Sequence, residues 1–221
     1  MEDAYIYDTV RSPRGRGKKG SLNELTAVGL SAKILKELRE RNSLNTEEVE
    51  DVIWGNVTQV GEQGGCLARS AVIAANYSES TPGLSINRFC ASGLEAVNLA
   101  TNQVKGSAGN GYVAGGVEMM SRVPMGSDGA AIAVDPTLAM NSYFVPQGIS
   151  ADILATKYGF SRDDVDAFAV ESQKRAAAAR QSGHFKKSIA PIKDQNNLTI
   201  LDEDEYIPVS YTHLTLPTTT I

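Results

Sequence analysis

In Ile86-Asn87-Arg88-Phe89-Cys90-Ala91-Ser92-Gly93-Leu94-Glu95-Ala96-Val97, a single cysteine separates a strand-like run from a helix-like run of small residues. Backbone N–H groups at a helix start carry partial positive charge, so a thiol placed there is stabilised as the nucleophilic thiolate. The small side chains that follow the sulfur leave room for a substrate chain. Cys90 is therefore a candidate nucleophile. The alternative is a buried, inert cysteine, because free cysteine is among the most buried residue types.

Strand-like and helix-like segments alternate along the first half of the chain. Runs of β-branched and aromatic residues predict strands, and leucines at helical spacing behind a capping-box pattern of Ser21 and Glu24 predict the first helix. The predicted elements are strands at 4–10, 52–57, 84–88 and 112–117, and helices at 22–38, 67–75 and 92–105. This alternation predicts an α/β fold with a mostly parallel sheet and helices on both faces. Reactive groups in such sheets gather at the carboxyl ends of strands, where Cys90 stands.

The character of the sequence changes after Glu118. Methionine, glycine and proline punctuate the next stretch, which indicates a domain boundary. Beyond it, residues 149–158 and 162–181 are predicted helices, the second opened by a capping box of Ser161 and Asp164. The last segment, 209–221, is rich in threonine and unlike the rest of the chain. We therefore expect a second, helical region followed by an unrelated tail.

Composition argues against several classes of function. The 221 residues are 42% hydrophobic and 21% charged, with a mean hydropathy of −0.20. A net charge of −5 and a pI near 5.1 argue against a nucleic-acid partner, for which clustered basic residues are expected. No apolar run approaches the roughly eighteen residues of a membrane span, so no membrane partner is expected. Two cysteines without a CxxC pattern and two histidines argue against a metal site, and the acidic N-terminus lacks a signal-peptide pattern. We expect a cytoplasmic location.

The run around Cys90 resembles the acyl-enzyme signature of the thiolases. A second block, Gly115-Gly116-Val117-Glu118-Met119-Met120-Ser121-Arg122-Val123-Pro124-Met125, resembles the glycine-rich strand end of that family. Further similar segments are Arg11-Ser12-Pro13-Arg14-Gly15, Gly61-Glu62-Gln63-Gly64, 148–152 and 157–169. The resemblance runs from about residue 4 to about residue 207, and it covers only the front half of a thiolase.

This resemblance implies an acetyl-CoA C-acyltransferase that cleaves or forms 3-ketoacyl-CoA, with Cys90 as the acylated catalytic residue. It implies acyl-CoA and coenzyme A as substrates, no separate cofactor, and a homo-oligomer, dimer or tetramer, in the complete protein. The implied organisation is a thiolase-like layered half-core at 1–117, a truncated helical loop domain that covers the substrate at 118–208, and a non-native tail at 209–221.

Catalytic parts of the thiolase family are missing from the sequence. The family's Asn-Glu-Ala-Phe segment, its Gly-His-Pro histidine and its second Cys-x-Gly cysteine do not occur. Neither His184 nor His213 stands in a Gly-His-Pro context, and Pro146-Gln147 stands where some thiolases carry a His-Met pair near the substrate. Two alternatives stay open: an inactive fragment or partner-binding half-domain, and another condensing enzyme of this fold, a decarboxylating ketoacyl synthase or a hydroxymethylglutaryl-CoA synthase.

Several residues that often carry chemistry have a simpler interpretation here. We expect Cys66 to be a packed small residue at a helix start, and His184 to cap a helix end at the surface. A methionine cluster is more often part of a core than of an acyl tunnel. The remaining expectations are core positions for Met119, Met120 and Met125, a solvated loop at 14–19 in preference to a contact with coenzyme A phosphates, and a solvated acidic turn at 202–205.

Overall fold

The computed structural model describes residues 3–17, 19–205 and 207. The predictions for His213 and for the segment 209–221 lie outside these residues. The chain divides into two compact units, of which the first contains Met1–Asp128 and Ser188–Glu205 and the second contains Gly129–Lys187. The assignment of 118–208 to a loop domain stays a prediction.

The centre of the first unit is a parallel sheet of three strands. These are β1 at Asp51–Gly55, β2 at Gly83–Ile86 and β3 at Tyr112–Gly116, in the order β2-β1-β3. The central strand β1 carries consecutive buried residues at Val52, Ile53 and Trp54. Such a run without polar alternation is typical of a parallel strand that is covered on both faces.

Helices cover both faces of this sheet, which confirms the predicted fold class. On one face lie α1 at Ala27–Asn42 and α2 at Leu67–Ala74, whose apolar residues form one buried cluster with Val52 and Trp54. The Trp54 indole N–H donates to the Ser31 hydroxyl of α1 at 3.1 Å, so its polar atom is satisfied inside the core. On the other face, α3 at Ser92–Lys105 contacts β1 and β3. Short 3-10 helices occur at Thr46–Glu48 and Gly61–Gln63, and an antiparallel pair, β4 at Ile192–Lys193 and β5 at Thr199–Leu201, completes the unit.

The second unit is helical. It contains α4 at Ala131–Val134, α5 at Pro136–Ser142, α6 at Gln147–Tyr158 and α7 at Arg162–Gln181. The predicted capping box is confirmed, since the Ser161 hydroxyl accepts from the Asp164 N–H at 3.2 Å and the Asp164 carboxylate accepts from the Ser161 N–H at 2.8 Å. The exposed His184 follows the left-handed Gly183, and its N–H donates to the Ala179 carbonyl at 3.0 Å. His184 therefore lies at the surface of a helix end as expected and closes that end through its backbone N–H, although the C-cap residue itself is Ser182.

Two predicted elements at the N-terminal end are wrong. The first helix begins at Ala27, with the Thr26 hydroxyl as its cap, and not behind a Ser21 capping box. Residues 4–10 form no strand, because among the described residues they pair with no strand in a hydrogen-bonded ladder. They line a cavity of about 840 Å³ together with the free edge of β3 and with residues of α1 and α3. Strand propensity without a hydrogen-bonding neighbour does not make a strand.

The expectation of a solvated acidic turn at 202–205 holds for Asp202 and Glu203, which are exposed, but it is wrong for Asp204 and Glu205. Asp204 accepts two hydrogen bonds from the Arg11 guanidinium, at 2.7 and 2.8 Å, and a third from the Arg14 N–H at 2.7 Å. Glu205 accepts the N–H groups of Arg16 and Ser21, at 2.6 and 2.8 Å. The Arg11 hydrogen bonds hold the pKa of Asp204 below its usual range, although partial burial opposes them. Two carboxylates therefore anchor the backbone of the N-terminal basic loop, whose Arg14 and Lys19 remain exposed as expected.

We expect Asp204→Asn to lower the free energy of unfolding by about 1–2 kcal/mol at pH 7, because a bidentate charge-assisted pair is lost while Arg11 keeps partial access to water. The exposed Asp202→Asn is the matched control and should have little effect. Since the pKa of Asp204 is lowered in the folded state, its contribution is present at neutral pH and is lost as the pH falls below about 4. Urea unfolding at pH 7 and at pH 3 measures both effects. A difference from wild type that persists unchanged at pH 3 would contradict this role.

Candidate active site

The chain makes a tight, strained turn between β2 and α3, directly before Cys90. Ile86 ends the strand, and Phe89 adopts a left-handed conformation with φ of 47°. A bulky residue seldom adopts this region, so the surrounding structure must hold it there. Phe89 is 63% exposed, and packing of its side chain is therefore not what fixes its backbone.

Two polar side chains hold the turn in place. The Asn87 carboxamide oxygen accepts the Phe89 N–H at 2.8 Å. The buried Ser92 hydroxyl accepts the Arg88 N–H at 2.8 Å and donates to the Phe89 carbonyl at 2.6 Å. Each backbone group on either side of the strained residue therefore has a defined partner, which keeps one conformation of the turn.

Cys90 lies at the carboxyl edge of the sheet, one residue before the N-cap of α3. Its thiol is free and exposed. The N-cap residue of α3, Ala91, makes no side-chain cap hydrogen bond, and the Ser92 N–H of the first turn donates to the Phe89 carbonyl at 3.0 Å. Arg88 forms an ion pair with Glu95 at 3.2 Å beside this turn. The arrangement leaves the Cys90 sulfur accessible at the start of α3, so the alternative of a buried cysteine is wrong.

The end of β1 lies in backbone contact with the start of α3. A Cβ atom added to Gly55 would lie 2.6 Å from the carbonyl carbon of Ser92 and 2.7 Å from the nitrogen of Gly93. Only glycine permits this approach, because both opposing atoms are backbone and cannot move aside. Gly55 is a residue of the site that the sequence interpretation missed, although a glycine at the end of a predicted central strand is the signal that could have indicated it.

Glu118, which follows β3, joins the loops at the ends of β1 and β3. Its carboxylate accepts the N–H groups of Val57 and Thr58 at 2.8 and 3.2 Å, and the side-chain amides of Gln63 and Asn56 at 2.9 and 3.3 Å. Gln63 is itself buried and donates to the Thr58 carbonyl at 2.9 Å. The sequence interpretation quoted Glu118 and Gln63 within motifs but assigned them no role.

Cys66 is exposed, so its prediction as a packed small residue is wrong. It adopts a left-handed conformation with φ of 58° at the N-cap of α2, and this geometry directs the residue to the surface. Its thiol donates to the Gly83 carbonyl at 3.2 Å. Met119 is buried as expected, whereas Met120 and Met125 are exposed and do not belong to a core.

The described residues contain no cluster of three or more histidine, cysteine or acidic side chains suited to a metal ion. Over the same part of the chain, no helix combines the length and the apolar character that crossing a membrane requires.

Comparison with known proteins shows the family to which the chain belongs. The family model described as "Thiolase, N-terminal domain" matches residues 4–219, which includes most of the segment predicted to be a foreign tail. The chain is 35% identical over 213 residues to a 3-ketoacyl-CoA thiolase of Colwellia psychrerythraea, with 94% of this chain and 54% of that protein covered. It is 36% identical to the protein of the same name from Cronobacter sakazakii, with 94% and 54% covered, and 38% identical to that of a Shewanella species, with 87% and 50% covered. The chain thus spans about half the length of these relatives.

We expect Gly55→Ala to destabilise the fold by about 1–3 kcal/mol, because the new methyl group forces the start of α3 away from β1. Gly93→Ala is the matched control, since a Cβ atom there meets nothing within 4 Å and alanine favours a helix. The difference in unfolding free energy between the two variants, measured with urea, tests the contact. Equal stability of both variants would show that the approach of strand and helix is not tight.

Proposed function

The chain belongs to the thiolase family, and from this premise we propose that it is the N-terminal part of an acetyl-CoA C-acyltransferase that acts on 3-ketoacyl-CoA. The observation that carries the proposal is the exposed Cys90 thiol, held by a strained turn at the start of α3. The names of the relatives support the substrate class. A reducing compartment, the cytoplasm, suits an enzyme with two free cysteines.

In the proposed reaction, the Cys90 thiolate attacks the 3-keto carbon of the substrate and forms a carbon–sulfur bond. The bond between C2 and C3 then breaks, its electron pair stays on the acetyl-CoA carbanion, and a proton from a general acid releases acetyl-CoA. The shortened acyl group remains on the Cys90 sulfur as a thioester. The thiol of a second coenzyme A attacks this thioester, which releases acyl-CoA and the free thiol. The Cys90 N–H would stabilise the oxyanion in these steps.

The residues of this chain supply only part of that machinery. The sequence contains none of the family's Asn-Glu-Ala-Phe, Gly-His-Pro or second Cys-x-Gly segments, which would provide the base, the acid and a further oxyanion donor. Loss of members of a cooperating catalytic group costs several powers of ten in rate. We therefore propose that these 221 residues do not turn over substrate alone. The cavity beside the free edge of β3 favours a second proposal, that this half-core binds a complementary chain segment.

We expect Cys90 to react with iodoacetamide at pH 7.5 about two- to fivefold faster than Cys66 does, because the Cys66 thiol donates to the Gly83 carbonyl at 3.2 Å, whereas the Cys90 thiol makes no hydrogen bond among the described residues. Both thiols are exposed, so exposure alone predicts equal rates. Brief alkylation followed by peptide mass mapping gives the two rates in one sample. Equal labelling of the two cysteines would count against Cys90 as the nucleophile.

We also expect the purified chain to produce no steady acetyl-CoA from 3-ketoacyl-CoA and coenzyme A. A single acylation of Cys90, detected by mass spectrometry of the intact chain, is the most that the nucleophile alone should support. Cys90→Ala should abolish this adduct, and Cys66→Ala is the matched control that should retain it. Steady acetyl-CoA release that depends on Cys90 would overturn the argument from missing parts and would require another base in this chain.

A further inference from the structure

We propose that Glu118 and Asn87 are positioning residues, which act on the Cys90 turn through a hydrogen-bonded relay across the end of the sheet. This inference rests on the proposed role of Cys90 as the nucleophile. Glu118 follows β3, whereas Cys90 follows β2, and the loop after the central strand β1 lies between them. The relay connects the two outer strands through Val57, a residue of that loop.

The first link runs from Glu118 to the backbone of Val57. The Val57 N–H donates to the carboxylate at 2.8 Å, and Gln63 and Thr58 donate to the other carboxylate oxygen. A hydrogen bond to an ionised acceptor is about twice as strong as one between neutral groups. Val57 and Thr58 lie outside the strand ladder, so this carboxylate is what orders their N–H groups, whereas the Asn56 N–H donates to the Ile86 carbonyl at 2.9 Å.

The second link runs from Val57 through Asn87 to Phe89. The Asn87 amide nitrogen donates to the Val57 carbonyl at 3.1 Å, and the Asn87 oxygen accepts the Phe89 N–H at 2.8 Å. Only one orientation of the carboxamide satisfies both partners, because one is an acceptor and the other a donor. The position of the Val57 carbonyl therefore sets the position of the oxygen that holds Phe89.

The third link is the conformation of Phe89 itself. Its left-handed φ of 47° sets the direction in which the chain enters Cys90 and α3. Ser92 supports this turn from the helix side, through the Arg88 N–H and the Phe89 carbonyl, and leaves the Phe89 N–H to Asn87. If the relay is broken at either end, the Phe89 N–H loses its ordered partner, and the Cys90 sulfur is no longer held in one place.

The test uses Asn87→Ala and Glu118→Gln, with Glu62→Gln as the matched control, in the full 221-residue chain. Glu62 is a nearby carboxylate whose ion pair, among the described residues, is with Arg122 at 2.8 Å, and it takes no part in the relay. Two quantities are measured: hydrogen exchange of the Phe89 amide, and the ratio of Cys90 to Cys66 alkylation. Both relay variants should speed Phe89 exchange by roughly three- to tenfold, as expected for one lost hydrogen bond. They should also lower the alkylation ratio from about two to five toward one, and the control should change neither quantity.

A double variant separates positioning from a general loss of stability. Asn87→Asp keeps an oxygen for the Phe89 N–H but removes the donor to Val57, so it cuts the relay between its two links. In that background, Glu118→Gln should have no further effect on Phe89 exchange, whereas a purely structural role of Glu118 would add its full effect. This comparison remains informative even where Glu118→Gln lowers the melting temperature, because Asn87 is exposed and its variants leave the core unchanged.

The outcomes distinguish the relay from the proposed function. Phe89 exchange that is unchanged in both Asn87→Ala and Glu118→Gln, or additive effects in the double variant, overturns the relay whatever Cys90 does. Equal alkylation of Cys90 and Cys66 in the wild-type chain counts against the nucleophile, while Phe89 exchange still decides the relay. Faster Phe89 exchange with a lowered Cys90 ratio in both variants supports the relay as a positioning device.

Discussion

The contact between the end of β1 and the start of α3 is the constraint on which the site depends. The two backbones lie so close together there that only a residue without a Cβ atom, Gly55, can occupy this position. This contact places the first turn of α3 over the carboxyl edge of the sheet. The turn that carries Cys90 then has to close the short distance between β2 and α3, which explains why Phe89 is driven into a left-handed conformation.

In the first unit, carboxylate side chains join segments that are far apart in the sequence. Glu118 gathers N–H groups from the loop after β1, and Asp204 and Glu205 gather N–H groups from the N-terminal basic loop. In each case an acidic side chain satisfies backbone donors that belong to no helix or strand. Unpaired backbone groups are costly away from water, so these bonds let irregular segments lie against the core. Some of the acidic residues of the chain therefore have a structural role.

The helices on the two faces of the first unit reach past the edge of its three-stranded sheet. Residues of α1 and α3 both line the cavity at the outer edge of β3, where the described residues place no fourth strand. The segment 4–10 has the composition of a strand and lies along the same cavity, yet it has no ladder to join. This arrangement agrees with a chain that covers about half the length of its thiolase relatives. The free edge of β3 and the exposed Cys90 turn are both accessible at the surface of this unit.

The sequence by itself determined the elements whose signals are local. Helices α3 and α7 begin and end where the sequence predicts, and for α7 the signal is a local capping box of Ser161 and Asp164. The parallel α/β class and the placement of Cys90 between strand and helix also follow from local patterns. Only the tertiary structure decided the roles of Gly55, Glu118 and Asp204, and the absence of a ladder at residues 4–10. Each of these depends on a partner that lies far away in the sequence, and such pairings arise from packing rather than from any local preference.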